Sequence, residues 1–444
     1  MERKAFTDLL KWKSSPARKP LILRGARQTG KTWLLKEFGK RYYGNTVLID
    51  FEQNRRAQSL FTDSLAPQDI ILQIQLMTGQ KINPETTLLV FDEVQRSPEA
   101  LTSLKYFADE APSYHVIAAG SLLGITLSRS ASYPVGKVDI LDLQTMDFEE
   151  TLTAQGNSDL SEYLASYDKP EPIPETIFSL LKDKLKTYYI TGGMPEVVRD
   201  WIENKDLDST ERLLYSILDA YGNDFGKYSS KTDVSKIHLV WDSLPSQLAR
   251  ENKKFLYSAA KPGARAREYE RAVEWLRNAR IVRKVFRSTA AGLPVAAYDD
   301  LSAFKLYMSD IGLLRRHAGL HPSVISEGNM LFTEFKGALT ENYVLLALEK
   351  QFNEPRYWSE NNPPHEVDFI VQWENELVPV EVKAGTNTRS RSLQIYKDKY
   401  KDMVKLRVRF SMDNLRLDGD LLNVPLFMAD EAKRLIGLAM EKLG

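Results

Sequence analysis

Four short apolar runs, each bounded by polar or small residues, stand out in the first third of this 444-residue chain. They occupy positions 21–23, 46–51, 88–91 and 115–119. Helical patterns lie between them, including one within residues 1–19 and one near 68–77. Short buried strands that alternate with helices predict an α/β fold with a parallel sheet wrapped by helices. Ligands of such sheets bind at the carboxyl ends of the strands.

The pattern becomes mostly helical between residues 148 and 220. A Pro-rich stretch at 170–174 interrupts it, and Gly-Gly-Met-Pro at 192–195 predicts a helix stop and restart. This segment has the pattern expected of a small helical lid on the sheet domain.

Two more helical patterns follow, at 235–250 and 264–279. After them come two predicted strands, at 281–286 and 304–308. Helices followed by a hairpin favour a winged helix-turn-helix. The last block has a predicted helix and then three predicted strands, at 332–352, 356–358, 366–373 and 377–383.

The composition excludes several kinds of site. The chain has 60 Lys or Arg and 60 Asp or Glu, so any nucleic-acid surface would have to be local. It has no cysteine, which excludes disulfides and thiolate zinc sites, and its five histidines lack ligand spacing. The charged start has no apolar segment of a signal peptide, and no run approaches the roughly 18–20 apolar residues of a membrane span. We therefore expect a cytoplasmic protein with no membrane partner.

The strongest chemical signal is GARQTGKT at positions 25–32, directly after the first apolar run. It matches the phosphate-loop pattern G-x-x-x-x-G-K-[ST], in which glycines let backbone N–H groups point at a phosphate. We expect Lys31 to contact the β- and γ-phosphates of ATP and Thr32 to hold Mg²⁺. The remaining contacts would come from Gly25, Ala26, Arg27, Gln28, Thr29 and Gly30. An ordinary Gly-rich turn is the alternative.

Two further apolar runs end in candidate catalytic residues. The run 88–91 leads into Asp92 and Glu93, the pattern of a Walker B strand. Asp92 would complete the Mg²⁺ shell, and Glu93 would polarise the attacking water. Ser121 follows the run 115–119 and could touch the γ-phosphate or the water. The alternatives are two acids that begin a loop and an ordinary turn serine.

Positive charge is concentrated around the helix predicted at 264–279. Nine Lys or Arg stand against three Glu between Lys261 and Arg287. A basic helix in a winged-helix domain can lie along a DNA groove, so DNA is the candidate partner. A solvated basic helix, or a wing used for protein contacts, would give the same pattern.

Alternation in the C-terminal strands brings charged residues onto one face. Glu381 and Lys383 share a strand face, and Asp368 stands opposite its two apolar neighbours. Two adjacent strands could gather these three residues, with Glu341 reaching in from the preceding helix. Carboxylates at that spacing bind Mg²⁺, here through Glu341, Asp368 and Glu381, and the ammonium of Lys383 could activate a water. An amphipathic hairpin with exposed charges is the alternative.

Nearly the whole chain resembles a widespread prokaryotic family in which an AAA+ superfamily ATPase is fused to a C-terminal domain of unknown function. The resemblance rests on GARQTGKT (25–32), LLVFDEVQ (88–95), AAGSLL (118–123), ITGGMPEVV (190–198), ARAREYERAVEWL (264–276), FTEFKGALTENYV (332–344), EVDFIVQ (366–372) and VPVEVKAG (378–385). It implies a winged-helix element and a terminal domain similar to PD-(D/E)xK nucleases. By this resemblance, Asp368 would be the first acid of the nuclease motif, and Glu381 and Lys383 would form its acid-x-Lys segment. Glu341 would be the acid that the motif carries on the preceding helix.

Two positions depart from the family's pattern. Val367 precedes Asp368 where the nuclease motif has proline. Gly136-Lys137 stands where many relatives have Gly-Arg, and Lys is a poorer bidentate phosphate ligand than Arg. If that position supplies an arginine finger, Arg129 is the nearest substitute.

We therefore expect four parts: a P-loop AAA+-like ATPase core (1–147), a helical lid (148–225), a winged-helix domain (226–320) and a PD-(D/E)xK-like domain (321–444). The predicted function is a Mg²⁺-dependent ATPase whose nucleotide state controls a nucleic-acid-directed C-terminal module. Two alternatives stay open: a working nuclease, and a regulatory switch that acts through protein contacts with an inactive nuclease fold. A homo-oligomer is also open, because AAA+ relatives often complete their sites across subunits.

Overall fold

The computed structural model describes residues 1–125, 134, 136–227, 229–250, 253–326, 333–361, 364–385 and 390–444. These residues form two compact units. The first contains Met1–Thr145, Gly226–Ser230 and Glu274–Ile281, and the second contains Met146–Phe225, Lys231–Val273 and Val282–Gly444. Within the described ranges, no helix has both the length and the apolar character needed to cross a membrane.

A five-stranded parallel sheet forms the centre of the first unit, with strand order β2-β3-β4-β1-β5. The strands are β1 (Leu21–Arg24), β2 (Asn45–Asp50), β3 (Thr87–Asp92), β4 (His115–Gly120) and β5 (Asp139–Asp142). Every residue of β3 and β4 is buried, which explains why both are continuous apolar runs. The four strands predicted from the apolar runs are confirmed.

Helices cover both faces of this sheet. They are α1 (Ala5–Ser14), α2 (Lys31–Tyr42), α3 (Pro67–Thr78) and α4 (Pro98–Glu110). One apolar cluster joins the sheet to α1 and α2, and a second joins it to α3 and α4. The residues at the start of α4 explain why the helix begins there. Ser97 caps the helix by accepting the N–H of Ala100 at 3.3 Å, and Pro98 occupies the first turn. The α/β core predicted from the sequence is therefore confirmed.

The second unit is helical at first and then mixed. Its helices are α5 (Phe148–Ala154), α6 (Ser158–Ser166), α7 (Glu175–Thr191), α8 (Pro195–Asn204), α9 (Leu207–Asp224), α10 (Lys231–Leu248), α11 (Tyr257–Ala260), α12 (Ala266–Asn278), α13 (Ile311–His317), α14 (Pro322–Ser326), α15 (Thr333–Gln351), α16 (Arg391–Lys399) and α17 (Ala432–Leu443). The last residues of α12 are counted with the first unit. The predicted helices at 235–250, 264–279 and 332–352 correspond to α10, α12 and α15, although Phe332 lies outside the described residues.

An eight-stranded mixed sheet forms the other half of the second unit, in the order β12-β13-β11-β10-β9-β8-β6-β7. The strands are β6 (Val282–Ser288), β7 (Asp299–Met308), β8 (Arg356–Asn361), β9 (Pro364–Trp373), β10 (Glu376–Val382), β11 (Arg407–Ser411), β12 (Arg416–Asp418) and β13 (Leu421–Pro425). The antiparallel hairpin β6–β7 is attached to β8 through the parallel pairs Arg287–Tyr357 and Ser288–Trp358. The strands predicted as a wing thus extend the C-terminal sheet, and the winged-helix domain stays a prediction.

The helices predicted as a lid also bond to C-terminal segments within the second unit. The N–H of Phe148 donates to Asp430 Oδ2 at 3.1 Å, and the N–H of Ile173 donates to Asn414 Oδ1 at 2.8 Å. The expected boundaries at 225/226 and 320/321 therefore fall within or at the edge of one compact unit. The division into four domains remains a prediction.

The Gly-Gly-Met-Pro stretch is explained by close packing rather than by chemistry. A Cβ on Gly193 would lie 1.9 Å from the carbonyl oxygen of Met146, and Gly193 N–H donates to Asp310 Oδ2 at 2.8 Å. Asp310 also caps α13 by accepting the N–H of Leu313 at 3.0 Å. These contacts tie the start of α8 to the start of α13.

Candidate functional site

The phosphate loop connects the end of β1 to the start of α2, at the carboxyl edge of the first sheet. Gly30, just before α2, has a φ of 88°, a left-handed conformation that glycine adopts without strain. Gly25 is required by a close approach, since a Cβ there would lie 2.4 Å from the carbonyl oxygen of Leu143. Gln28 also has a positive φ, of 65°. The loop thus has the backbone conformation and the helix N-terminus that suit a phosphate.

Lys31 lies inside this loop and is buried. Its Nζ donates to the carbonyl oxygens of Gly25 at 3.0 Å and Ala26 at 2.8 Å. Burial lowers the pKa of Lys31 to about 8, against the opposing negative charges of Glu93 and Asp92. The ammonium is therefore held beneath the loop backbone by two carbonyl groups, in a place where a phosphate oxygen would be a stronger partner.

Arg3 supports the loop from outside and was not predicted. Its guanidinium is buried, and it donates to the carbonyl oxygens of Thr29 at 3.1 Å and Gln144 at 2.7 Å. Thr29 Oγ1 in turn donates to the carbonyl of Ala26 at 2.9 Å. Arg3 belongs to no recognisable sequence motif, so its contact with the phosphate loop could not be predicted from the sequence.

Thr32 and Asp92 meet at the base of the loop. Thr32 Oγ1 donates to Asp92 Oδ2 at 2.6 Å, and Asp92 Oδ1 accepts the N–H of Glu93 at 3.0 Å. Burial raises the pKa of Asp92, although the hydrogen bond from Thr32 opposes the shift. A hydroxyl and a carboxylate in contact beside a phosphate loop are the oxygen donors that Mg²⁺ prefers, so these residues fit the ion that the sequence predicted.

Glu93 and Ser121 lie together at the ends of β3 and β4, which are neighbours in the sheet. Ser121 Oγ donates to Glu93 Oε2 at 3.4 Å. The side-chain amide of Gln95 also donates to Glu93 Oε2. Gln95 was not selected from the sequence, although it ends the DEVQ segment whose acids were.

The position at which relatives carry the arginine of a Gly-Arg pair is Lys137 in this chain. Lys137 pairs with Asp109 of α4 on the surface, and Gly136 accepts the ammonium of Lys19 at 2.7 Å. Arg129, the suggested substitute, lies outside the described residues.

In the second unit, Glu341 is held by a buried network that the sequence did not predict. Lys253 donates to Glu341 Oε2, and Lys305 Nζ lies 3.1 Å from Oε1, which also accepts the hydroxyl of Tyr307. Lys305 is fully buried and also contacts Glu366 Oε1 at 2.6 Å. Burial would raise the pKa of Glu341, but the two lysines outweigh it and lower the pKa to about 2.

Asp368 and Glu381 lie on the adjacent antiparallel strands β9 and β10, as the strand-face argument expects. Asp368 Oδ2 accepts the N–H of Val382 at 2.7 Å. Burial, and then the charge of Glu341, raise the pKa of Asp368 to about 7. Lys383 pairs with Glu381 Oε1, while Glu381 Oε2 is buried and has no hydrogen-bond partner among the described residues.

These residues are near one another, but the predicted metal cluster is not assembled. Among the described residues, no group of three or more His, Cys, Asp or Glu side chains is placed to hold a metal ion. Glu341 is instead engaged by two ammonium groups and a phenol. The role of metal ligand for Glu341, together with Asp368 and Glu381, therefore stays a prediction. Sequence reasoning missed Lys253, Lys305 and Tyr307 because they come from the segment assigned to a winged helix.

Comparison with protein families divides the chain into three matched segments. Residues 17–152 match a family model described as an AAA domain. Residues 182–324 and 336–427 match two domains of unknown function, DUF8612 and DUF4143. This first match agrees with the sheet, the phosphate loop and the acidic strand end, so residues 17–152 form a domain similar to P-loop ATPases of the AAA type. No curated protein matches the chain.

Several solved structures align with most of the chain at low similarity. The Walker-type ATPase PABY2304 of Pyrococcus abyssi aligns over 71% of this chain and 95% of its own, with 14% identity and a TM-score of 0.43. The Orc1 protein of Aeropyrum pernix in complex with DNA has 12% identity, coverages of 72% and 92%, and a TM-score of 0.30. Cdc6p of Pyrobaculum aerophilum has 15% identity, coverages of 73% and 93%, and a TM-score of 0.25. At these TM-scores the alignments add nothing to the assignment of a function.

Proposed function

We propose that this protein hydrolyses ATP with Mg²⁺ at the phosphate loop. The observation that supports this most directly is the contact of Thr32 with Asp92 beside Glu93, at the carboxyl edge of a parallel sheet. Backbone N–H groups of residues 25–32 bind the phosphates, and Lys31 neutralises the β- and γ-phosphate oxygens. Thr32 and Asp92 would hold Mg²⁺, which supplies neutralisation of phosphate charge when bound. Glu93 accepts the proton of the attacking water, and Ser121 senses the γ-phosphate.

The Glu93→Gln variant tests this assignment. Glutamine keeps the shape of the side chain but cannot take up a proton, so we expect kcat to drop about 100-fold while ATP binding is kept. Phosphate release measures kcat, and equilibrium titration with a fluorescent ATP analogue measures binding.

Glu110→Gln is the matched control, because Glu110 is an exposed acid at the end of α4 and should leave both quantities unchanged. If Glu93→Gln hydrolyses ATP at the wild-type rate, Glu93 is not the base. An equal loss of binding and turnover would instead assign Glu93 a structural role.

The second unit supports a second proposal, in which the nuclease-like sheet binds a partner without cutting nucleic acid. The supporting observation is the neutralisation of Glu341 by Lys253 and Lys305, which occupies the carboxylate that a catalytic metal would need. In this proposal, nucleotide state at the phosphate loop controls the binding. DNA is one candidate partner, through the exposed Arg267 and Arg271 of α12, and a protein is the other.

A cleavage assay decides whether the second unit is a nuclease. We expect no difference between wild type and Asp368→Ala on plasmid or single-stranded DNA in Mg²⁺ or Mn²⁺, with or without ATP. Cleavage that disappears in Asp368→Ala would contradict the proposal and make Asp368 catalytic.

The salt dependence of binding then distinguishes the two partners. Binding to duplex DNA through arginines should weaken steeply as salt rises, and replacing both Arg267 and Arg271 with Ala should flatten the slope by about two. A slope that is flat in the wild type would favour a protein partner.

A further inference from the structure

Gln95 connects the two strand ends that carry Glu93 and Ser121. It lies in the short 3₁₀ turn Val94–Arg96 that follows β3, and its side chain is buried. Its Nε2 donates to Glu93 Oε2, the same oxygen that Ser121 Oγ approaches to 3.4 Å. The backbone turns sharply at Glu93, where φ is 51°, so the amide two residues later can reach back to its carboxylate.

The other end of the same amide indicates why a glutamine stands here. Gln95 Oε1 is buried and has no hydrogen-bond partner within the described part of the chain. It packs against the end of β4, where a Cβ on Gly120 would lie 2.0 Å from it. A buried acceptor without a partner is destabilising, and an apolar side chain of the same volume would avoid that cost. The feature of Gln95 that offsets this cost is its donor, which is directed at Glu93.

We propose that Gln95 is a positioning residue for the carboxylate of Glu93. Within the described residues, both hydrogen bonds to this carboxylate end on Oε2, which leaves Oε1 to accept the proton of the attacking water. Gln95 thus fixes the rotation of the carboxylate at the edge between β3 and β4, and Gly120 provides the space for its amide. The inference rests on the proposed role of Glu93 in ATP hydrolysis.

Two substitutions separate the donor from the volume of the side chain. Gln95→Met fills the same space without a donor, and we expect kcat to fall about tenfold with KM and ATP affinity within about twofold of wild type. Gln95→Glu has the same shape but places a second carboxylate beside Glu93, so we expect a larger fall in kcat. Gln68→Met, at an exposed position of α3, is the control and should change neither quantity.

A double variant shows whether Gln95 acts through Glu93. In a Glu93→Gln background, adding Gln95→Met should lower kcat by less than about twofold, because the carboxylate that Gln95 positions is gone. A tenfold further loss, or an unchanged kcat in Gln95→Met alone, would overturn the inference. A lower melting temperature with parallel losses of affinity and kcat would also overturn it, since that pattern belongs to packing. If Glu93→Gln itself leaves hydrolysis intact, the proposed function fails first and the positioning role fails with it.

Discussion

Replacing Lys31 with alanine is expected to abolish ATP turnover, with kcat/KM reduced about 1,000-fold. Lys31 is the buried cation of the phosphate loop, and its ammonium is held by the carbonyl oxygens of Gly25 and Ala26. Alanine removes the charge that would meet the β- and γ-phosphates and leaves those carbonyls facing the site. Since the phosphates are bound in the ground state as well as in the transition state, ATP affinity should fall along with kcat. Titration with a fluorescent ATP analogue and phosphate release measure the two effects.

Lys36→Ala is the matched control, because Lys36 lies on the exposed face of the same helix. It removes the same charge from α2 and should change ATP affinity by less than about twofold, as expected for a surface charge. Retention of ATP turnover in Lys31→Ala, with the control also active, would contradict the assignment of residues 25–32 as the nucleotide site. Both variants should keep the wild-type melting temperature in the absence of nucleotide within a few degrees.

Much of the first unit could be predicted because its information is local. Four strands are short and rich in apolar residues, three of them almost entirely buried, and the phosphate loop is a contiguous motif whose spacing reflects backbone geometry. The fifth strand, Asp139–Asp142, was missed because it has four residues, lies at the edge and alternates exposed with partly buried positions. A run that short and that polar has no apolar pattern to detect.

The second unit shows where the same reasoning stops. The hairpin β6–β7 was correctly expected as two strands, but periodicity does not say which sheet a hairpin joins. Here it pairs with β8, a strand about 70 residues further along the chain from β6. Lys305 of β7 therefore reaches Glu341 and Glu366, contacts that no local pattern encodes. The same limit applies to Arg3, whose guanidinium donates to carbonyl oxygens of Thr29 and Gln144, far along the chain. Gln95 is close to Glu93 in sequence, but periodicity does not show where its side-chain amide points.

Glu341 was expected as a metal ligand, and its surroundings suggest another role. Two carboxylates and two ammonium groups, from Glu341, Glu366, Lys253 and Lys305, balance in charge inside the unit. Among the described residues, Asp368 forms no ion pair, which agrees with a pKa raised to about 7 by burial and by the charge of Glu341. We therefore expect Glu341 to stabilise the fold by pairing the buried Lys305 and the partly buried Lys253.

Replacing Glu341 with alanine is accordingly expected to destabilise the second unit by about 3–5 kcal/mol, because it leaves the buried ammonium of Lys305 with half of its counter-charge. Urea denaturation at neutral pH measures the free energy of unfolding. Hydrogen exchange of peptides from α15 and β7 shows whether the loss is local to this network.

The opposite result is expected if Glu341 is mainly one acid of a metal-binding cluster. Removing a carboxylate would then relieve its repulsion of Asp368, and Glu341→Ala would be as stable as the wild type or more stable without metal. Glu441→Ala, at an exposed position of α17, controls for the loss of a surface carboxylate and should change the unfolding free energy by less than about 0.5 kcal/mol.

Replacing both members of the pair, with Glu341→Leu and Lys305→Met, should recover part of the loss, since an apolar pair leaves no unmatched charge between those two positions. Stability that is lost in the single variant and partly recovered in the double variant would assign Glu341 to the internal ion network.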